Sequence, residues 1–155
     1  MKTKTFSTEI QVLSYDELSA EDRELIDRAK DMTRTSYVPY SHFHVGAAIR
    51  MHNDCIVTGS NQENAAYPSG TCAERTAAYY ASAQNPDMPM RKIAVAAWTK
   101  GSFQGKPISP CGACRQALLE YEHRYGPIEV LLYGDDEIYR FPSVSSLLPY
   151  NFTSF

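Results

Sequence analysis

Residues 69–84 read SGTCAERTAAYYASAQ, a stretch on which the fold turns. From Cys72 onward the stretch has the character of a helix that follows a loop, and Pro86 in NPDMPM enforces its end. A second stretch, SPCGACRQALLEYE at 109–122, repeats the arrangement with cysteine again at the start of a helix. Between them RKIAVAAWTK (91–100) is a short apolar run of the kind found in a buried strand, and after them come IEVLLYG (128–134) and EIYRF (137–141), also strand-like. Upstream, YVPYSHFHVGAAIR and CIVTGSNQENAAYP predict two strands joined by the turn MHND and followed by a polar loop. SAEDRELIDRAKDMTRTS predicts a helix with Ser19 as N-cap, acidic residues in its first turn, and Leu25, Ile26, Ala29 and Met32 on one face. TFSTEIQVL allows an accessory strand, and the tail PSVSSLLPYNFTSF one more short helix. This alternation predicts a layered α/β/α fold in which helices flank a mixed sheet of about five strands. Residues 1–155 are expected to form one domain, with 1–18 as an N-terminal extension.

The two cysteine-bearing helix starts point to chemistry. A helix N-terminus carries partial positive charge and lowers a thiol's pKa, which favours the thiolate that binds metal. Cys111 and Cys114 fall in one first turn, so a single ion can touch both sulfurs, and Cys72 supplies a third. Three protein ligands leave a fourth position open, as in a catalytic zinc; a structural zinc closes all four. Glu74 shares the first turn with Cys72 and is placed to reach water on such an ion, whose pKa falls to about 7. A carboxylate that does not ligate can take and return that proton. The combination of Cys72-Ala-Glu74 with Pro110-Cys111-Gly-Ala-Cys114 matches the pattern of zinc deaminases.

Other readings are weaker. Cys55 as a fourth ligand would close the site, but it lies in an apolar strand pattern that suits a buried free thiol. CGAC also fits a redox dithiol, yet that leaves Cys72 and Glu74 without a task. A zinc-stabilised binding module remains a non-enzymatic alternative. His42, His44, His52 and His123 show no ligand spacing. Three thiolates on a dication leave a net negative charge, so Arg75 or Arg115, each adjacent to a motif residue, could hydrogen-bond the sulfurs and offset it.

Composition agrees with a small-molecule enzyme. Hydrophobic residues make up 43% and charged residues 21%, which describes a folded chain rather than a disordered one. The net charge of −3 gives no basic groove for a nucleic acid. No secretory leader or membrane-spanning run is visible, so a cytoplasmic location is expected, where reduced cysteines serve as ligands more readily than as disulfides.

Four stretches, PYSHFHVGAA, GSNQENAAYPSGTCAERTAA, SPCGACRQALLE and LLPYNF, resemble the homotetrameric zinc-dependent cytidine deaminases over roughly residues 20–152. The resemblance implies hydrolysis of cytidine and deoxycytidine to uridine and deoxyuridine in pyrimidine salvage, with one Zn2+ per subunit. It implies that Asn61 and Glu63 hold the ribose, that Phe43 lies near the base, and that the Ala73 N–H meets the pyrimidine O2. It further implies that Tyr67 and Phe152 complete pockets of neighbouring subunits. A deaminase of another aminopyrimidine nucleoside, such as blasticidin S, is the nearest alternative. His44 stands where relatives often have proline, and the segment before Ser19 exceeds the family core.

Overall fold

Two strands from the middle of the chain organise the molecule in a computed structural model that describes residues 1–154. Strand β2 (His44–Met51) sends Val45, Ala47, Ile49 and Met51 to one face of the sheet and Ala48 to the other; β4 (Met90–Thr99) sends Ile93, Val95 and Ala97 one way and Ala94 and Ala96 the other. Both faces are apolar because both are covered. Helix α1 (Ala20–Met32) packs Leu25, Ile26 and Ala29 on the second face. Helices α2 (Ala73–Gln84) and α3 (Gly112–Tyr125) pack Ala73, Ala77, Ala81 and Leu118 on the first. The result is the expected α/β/α layering.

The remaining strands are β1 (Gln11–Leu13), β3 (Ile56–Ser60), β5 (Ser102–Phe103), β6 (Glu129–Tyr133) and β7 (Ile138–Phe141). They join in a seven-stranded sheet of order β1-β7-β6-β4-β2-β3, with β5 paired to β4. β4 and β6 run parallel and every other pair antiparallel, so the sheet is mixed. Seven strands stand against the expected five or so: β1 is the accessory strand that TFSTEIQVL allowed, and β5, of two residues, is too short to show a period. The tail gives only a 3-10 turn at Ser145–Leu147, between Pro142 and Pro149. Ser19 caps α1 as predicted, its hydroxyl accepting the Asp22 N–H at 3.1 Å.

The site follows from the crossovers. β3 and β4 both run antiparallel to β2, which lies between them, so they point the same way. α2 carries the chain from β3 to β4, and α3 from β4 to its parallel neighbour β6. Both moves progress in one direction across the sheet, and right-handed crossovers then set both helices on the same face. Their N-termini consequently emerge side by side at the carboxyl ends of β3 and β4. Close approach is secured by Gly59 of β3. A Cβ there would meet the Ala77 nitrogen at 2.5 Å and the Ala73 carbonyl at 2.8 Å, so the first turn of α2 rests directly on strand backbone.

Candidate active site

Cys72 and Cys111 are the N-caps of α2 and α3, both in extended conformation and neither side chain used to cap its helix. The sulfurs face each other instead. Cys72 Sγ lies 3.8 Å from Cys111 Sγ, which lies 3.4 Å from Cys114 Sγ, and all three fall within 4.8 Å of one another. Cys114 is buried, Cys72 half-buried and Cys111 exposed. Three soft donors at this spacing fit one tetrahedral cation with a fourth position outside the protein ligands. The cluster holds no histidine.

Electrostatics favour thiolate at this point. The Cys72 thiol is drawn down to about 5, chiefly by hydrogen bonding with Cys114, while Arg75 and Cys111 add to that effect and burial opposes it. The same contact and burial push Cys114 up, so the cluster holds its negative charge first on Cys72. Arg75 Nη2 is 3.7 Å from Cys72 Sγ. Arg115 turns elsewhere. Its guanidinium donates to the carbonyls of Pro110 at 2.8 Å and Leu147 at 2.6 Å and to Ser109 Oγ at 2.7 Å. Of the two arginines considered from sequence, only Arg75 faces a sulfur.

Glu74 is 4% exposed. Burial pushes its carboxyl up to about 7; its own backbone N–H pulls the other way, and the charge on Cys72 adds to the rise. A carboxyl so placed can both accept and return a proton near neutral pH. It lines a cleft of about 310 Å³ whose walls include Phe43, Asn61, Glu63, Cys72 and Cys111. That volume is at the small end of the range for small-molecule sites.

The other expected residues divide into two groups. Asn61 and Glu63 follow β3 and reach the cleft, but both also shape it. Asn61 accepts the Val45 N–H at 2.8 Å and donates to the Phe43 carbonyl at 2.9 Å, fixing the entry to β2 and with it Phe43. Glu63 Oε2 accepts the N–H groups of Tyr40 and Ser41 at 3.0 and 3.2 Å, and hydrogen bonding with Ser41 first of all holds its carboxyl below the usual range. Ala73 is buried at the first position of α2; the first intrahelical bond comes from Thr76, so the Ala73 N–H belongs to the turn that the helix itself leaves over. Tyr67 and Phe152 are not part of that wall. Tyr67 is 87% exposed and lines an adjoining hollow of about 360 Å³ with Tyr40 and Arg75. Phe152 is 64% exposed and its carbonyl accepts from Gln116 Nε2 at 2.8 Å.

Cys55 departs from expectation. It is exposed in the hairpin turn between β2 and β3, at the opposite end of β3 from Asn61, so it is neither a buried strand residue nor a member of the cluster. The Met51 N–H donates to the Cys55 carbonyl at 2.9 Å and the Asp54 N–H to the Met51 carbonyl at 3.0 Å, so Cys55 closes the hairpin loop one residue before β3 begins. Sequence reasoning missed Glu122, a buried carboxylate on α3 that accepts the N–H groups of Ile128, Val144 and Ser145 at 2.9, 2.7 and 2.9 Å. A charged residue on a helix otherwise amphipathic gave no local sign that loops would converge on it. Ile108 and Ser109, which also line the cleft, were legible only as residues preceding Pro110-Cys111.

Residues 19–126 match the family model for the cytidine and deoxycytidylate deaminase zinc-binding region. The chain is 40% identical over 126 residues to a cytidine deaminase of Sporosarcina psychrophila, covering 81% of this chain and 86% of that protein. It is 41% identical over 136 residues to a cytidine deaminase of Halalkalibacterium halodurans, covering 84% and 92%. Its structure is similar to that of a cytidine deaminase from Burkholderia pseudomallei, with a TM-score of 0.71 at 40% identity over 83% of this chain and 97% of the other.

Proposed function

The chain belongs to the cytidine and deoxycytidylate deaminase family, and from that premise we propose that it hydrolyses cytidine and 2′-deoxycytidine to uridine and 2′-deoxyuridine, releasing ammonia, with Glu74 as its proton carrier. The observation behind this reading is a buried carboxyl on the wall of a small-molecule cleft, two residues from one of three clustered thiols. Cys72, Cys111 and Cys114 would hold one Zn2+ per subunit, and a zinc ion so held is a Lewis acid that makes water a nucleophile near neutral pH.

The chain's own groups account for the proton traffic. Glu74 takes one proton from the attacking water and delivers it to N3 of the pyrimidine as the oxygen bonds to C4. It then carries the second proton of that water to the exocyclic nitrogen. The C4–N bond breaks, ammonia leaves, and C4 keeps the oxygen as a carbonyl. Phe43 lies against the base, and the Ala73 N–H meets the pyrimidine O2. Glu63 holds the ribose through the carboxylate oxygen that Tyr40 and Ser41 do not use. Asn61 contributes its remaining amide hydrogen and lone pair to the sugar while it fixes Phe43.

Tyr67 and Phe152 complete the pockets of neighbouring subunits in a homotetramer; their exposure and their position outside this chain's own cleft support that reading. Residues 1–155 act as one deaminase-like unit with 1–18 as an extension. Three reduced thiols suit the cytoplasm, where the reaction would serve pyrimidine salvage. Among the described residues no helix is long and apolar enough to cross a membrane.

Glu74→Gln tests the assignment. The variant is expected to keep its zinc by metal analysis and to lose about 10²–10⁴-fold in kcat with cytidine, followed by ultraviolet absorbance. A zinc-loaded variant with ordinary turnover rules the mechanism out.

A further inference from the structure

Residues 1–18 precede the segment that the family model matches, and the proposed chemistry uses none of them. The structure nevertheless ties them to the opposite end of the described chain. β1 adds to the edge of the sheet by pairing antiparallel with β7, Gln11 opposite Arg140 and Leu13 opposite Ile138. From that anchor the arm runs back along the tail. Thr8 donates its hydroxyl hydrogen to the Ser146 carbonyl at 2.6 Å. Phe6 packs on Tyr150 with ring centroids 6.0 Å apart and planes tilted by 59°, and the Lys4 ammonium sits 5.2 Å from the Phe6 centroid.

The tail is gripped from its other side by α3. Glu122 holds the N–H groups of Val144 and Ser145, Arg115 donates to the Leu147 carbonyl at 2.6 Å, and Gln116 donates to the Phe152 carbonyl at 2.8 Å. Arg115 and Gln116 follow Cys114 directly, so this grip fixes the tail relative to the cysteine cluster. Between the two grips Tyr150, 89% exposed, adopts φ of 52°, a left-handed conformation that a tyrosine rarely takes. The ring against it is Phe6.

We infer that residues 4–13 form a clasp that positions the C-terminal segment 146–152, with Phe6 and Thr8 as its positioning residues, so that Phe152 is presented in one conformation. The consequence for catalysis rests on the reading that Phe152 serves a neighbouring pocket. A tail held in advance gives up little freedom when it meets substrate, so the clasp acts on substrate binding and leaves the chemical step alone.

The test uses the full-length, zinc-loaded protein carrying Phe6→Ala with Thr8→Ala. Hydrogen exchange is followed at Leu147 and Leu148, whose N–H groups bond to the carbonyls of Val144 and Ser145. Exchange there should quicken about tenfold while α3 and β4 keep their protection. KM for cytidine should rise about three- to tenfold, the range expected from losing one ring pair, with kcat within about twofold. Phe6→Tyr with Thr8→Ser, which keeps the ring and the hydroxyl, should restore both. Unchanged exchange in the tail overturns the clasp, as does faster exchange spread evenly over the sheet. Phe152→Ala separates the two ideas. If it raises KM while the arm variant does not, the clasp fails and the shared pocket stands; if it leaves KM alone, the shared pocket fails and tail exchange still decides the clasp.

Discussion

Arg75 shows how much one side chain settles about a metal centre of this composition. Three thiolates around a dication would carry a surplus negative charge that weakens its pull on a bound oxygen, and the guanidinium 3.7 Å from Cys72 Sγ is placed to offset it. Arg75→Gln keeps a hydrogen-bond donor and removes the charge. Turnover or zinc affinity should drop about 10–100-fold, read from kcat and from competition with a chelating dye. If both stay at the level of the unmodified protein, Arg75 is an ordinary helix residue. The motif made this arginine visible, but the same proximity argument named Arg115 equally, and adjacency in sequence could not separate them. Which of the two reaches a sulfur depends on the helical turn: Arg75 turns toward Cys72, whereas Arg115 turns back to Pro110 and on to Leu147.

Helix starts are the decisive elements. Cysteine is not among the residues that cap helices well, so its presence at the N-cap of both α2 and α3 has a reason other than capping. Ser19 on α1 shows what an ordinary cap does in the same chain. The placement of α2 depends in turn on β3, because Gly59 lets the Ala73 carbonyl and Ala77 nitrogen lie against the strand. Gly59→Ala would force the first turn of α2 outward, taking Cys72 and Glu74 with it. The expected cost is about 1–3 kcal/mol of stability, toward the upper end because backbone rather than a flexible side chain is struck. Zinc affinity should fall as well. Urea unfolding of the metal-free protein together with zinc titration checks both, and a loss of stability with unaltered zinc affinity would show that α2 can shift without moving the ligands. Helices and buried strands were legible because each repeats its period over several turns or residues; β1 showed only as an accessory strand, and β5 not at all, for want of length.

Across the whole molecule, one buried carboxylate joins the two halves of the sheet. Asp22 on α1 is 2% exposed and pairs with Lys92 of β4 and Arg140 of β7, while Glu129 of β6 pairs with the same two cations. Burial pushes the Asp22 carboxyl up, but Lys92, Ser19 and Arg140 together outweigh it and hold it below the usual value. A carboxyl depressed in the folded state adds stability that is complete above its unfolded pKa of about 3.9 and is lost as pH falls below that toward the folded value. Asp22→Asn should therefore cost about 2–3 kcal/mol at pH 7. That lies below the roughly 3–5 kcal/mol of a fully orphaned buried ion because Glu129 remains. The gap between variant and parent should narrow below about pH 4. Denaturant unfolding at pH 7 and pH 3.5 measures it, and an equal gap at both would mean that the charge on Asp22 contributes nothing to stability.

Spacings of a few residues carry the thiol set, the acid beside it, the faces of the helices and buried strands, and the layered architecture. Tertiary structure decided what meets what. Cys72 and Cys111 stand 39 positions apart and come together only because two crossovers of one hand deliver two helix N-termini to the same end of the strands. Thr8 and Ser146, 138 positions apart, meet because β1 joins the free side of β7. Glu122 gathers the amides of Ile128, Val144 and Ser145 in the same way, from segments that only the packed fold brings to α3. Local periodicity fixes which side of an element is apolar, whereas the order and direction in which elements cross the sheet fix which distant side chains become neighbours.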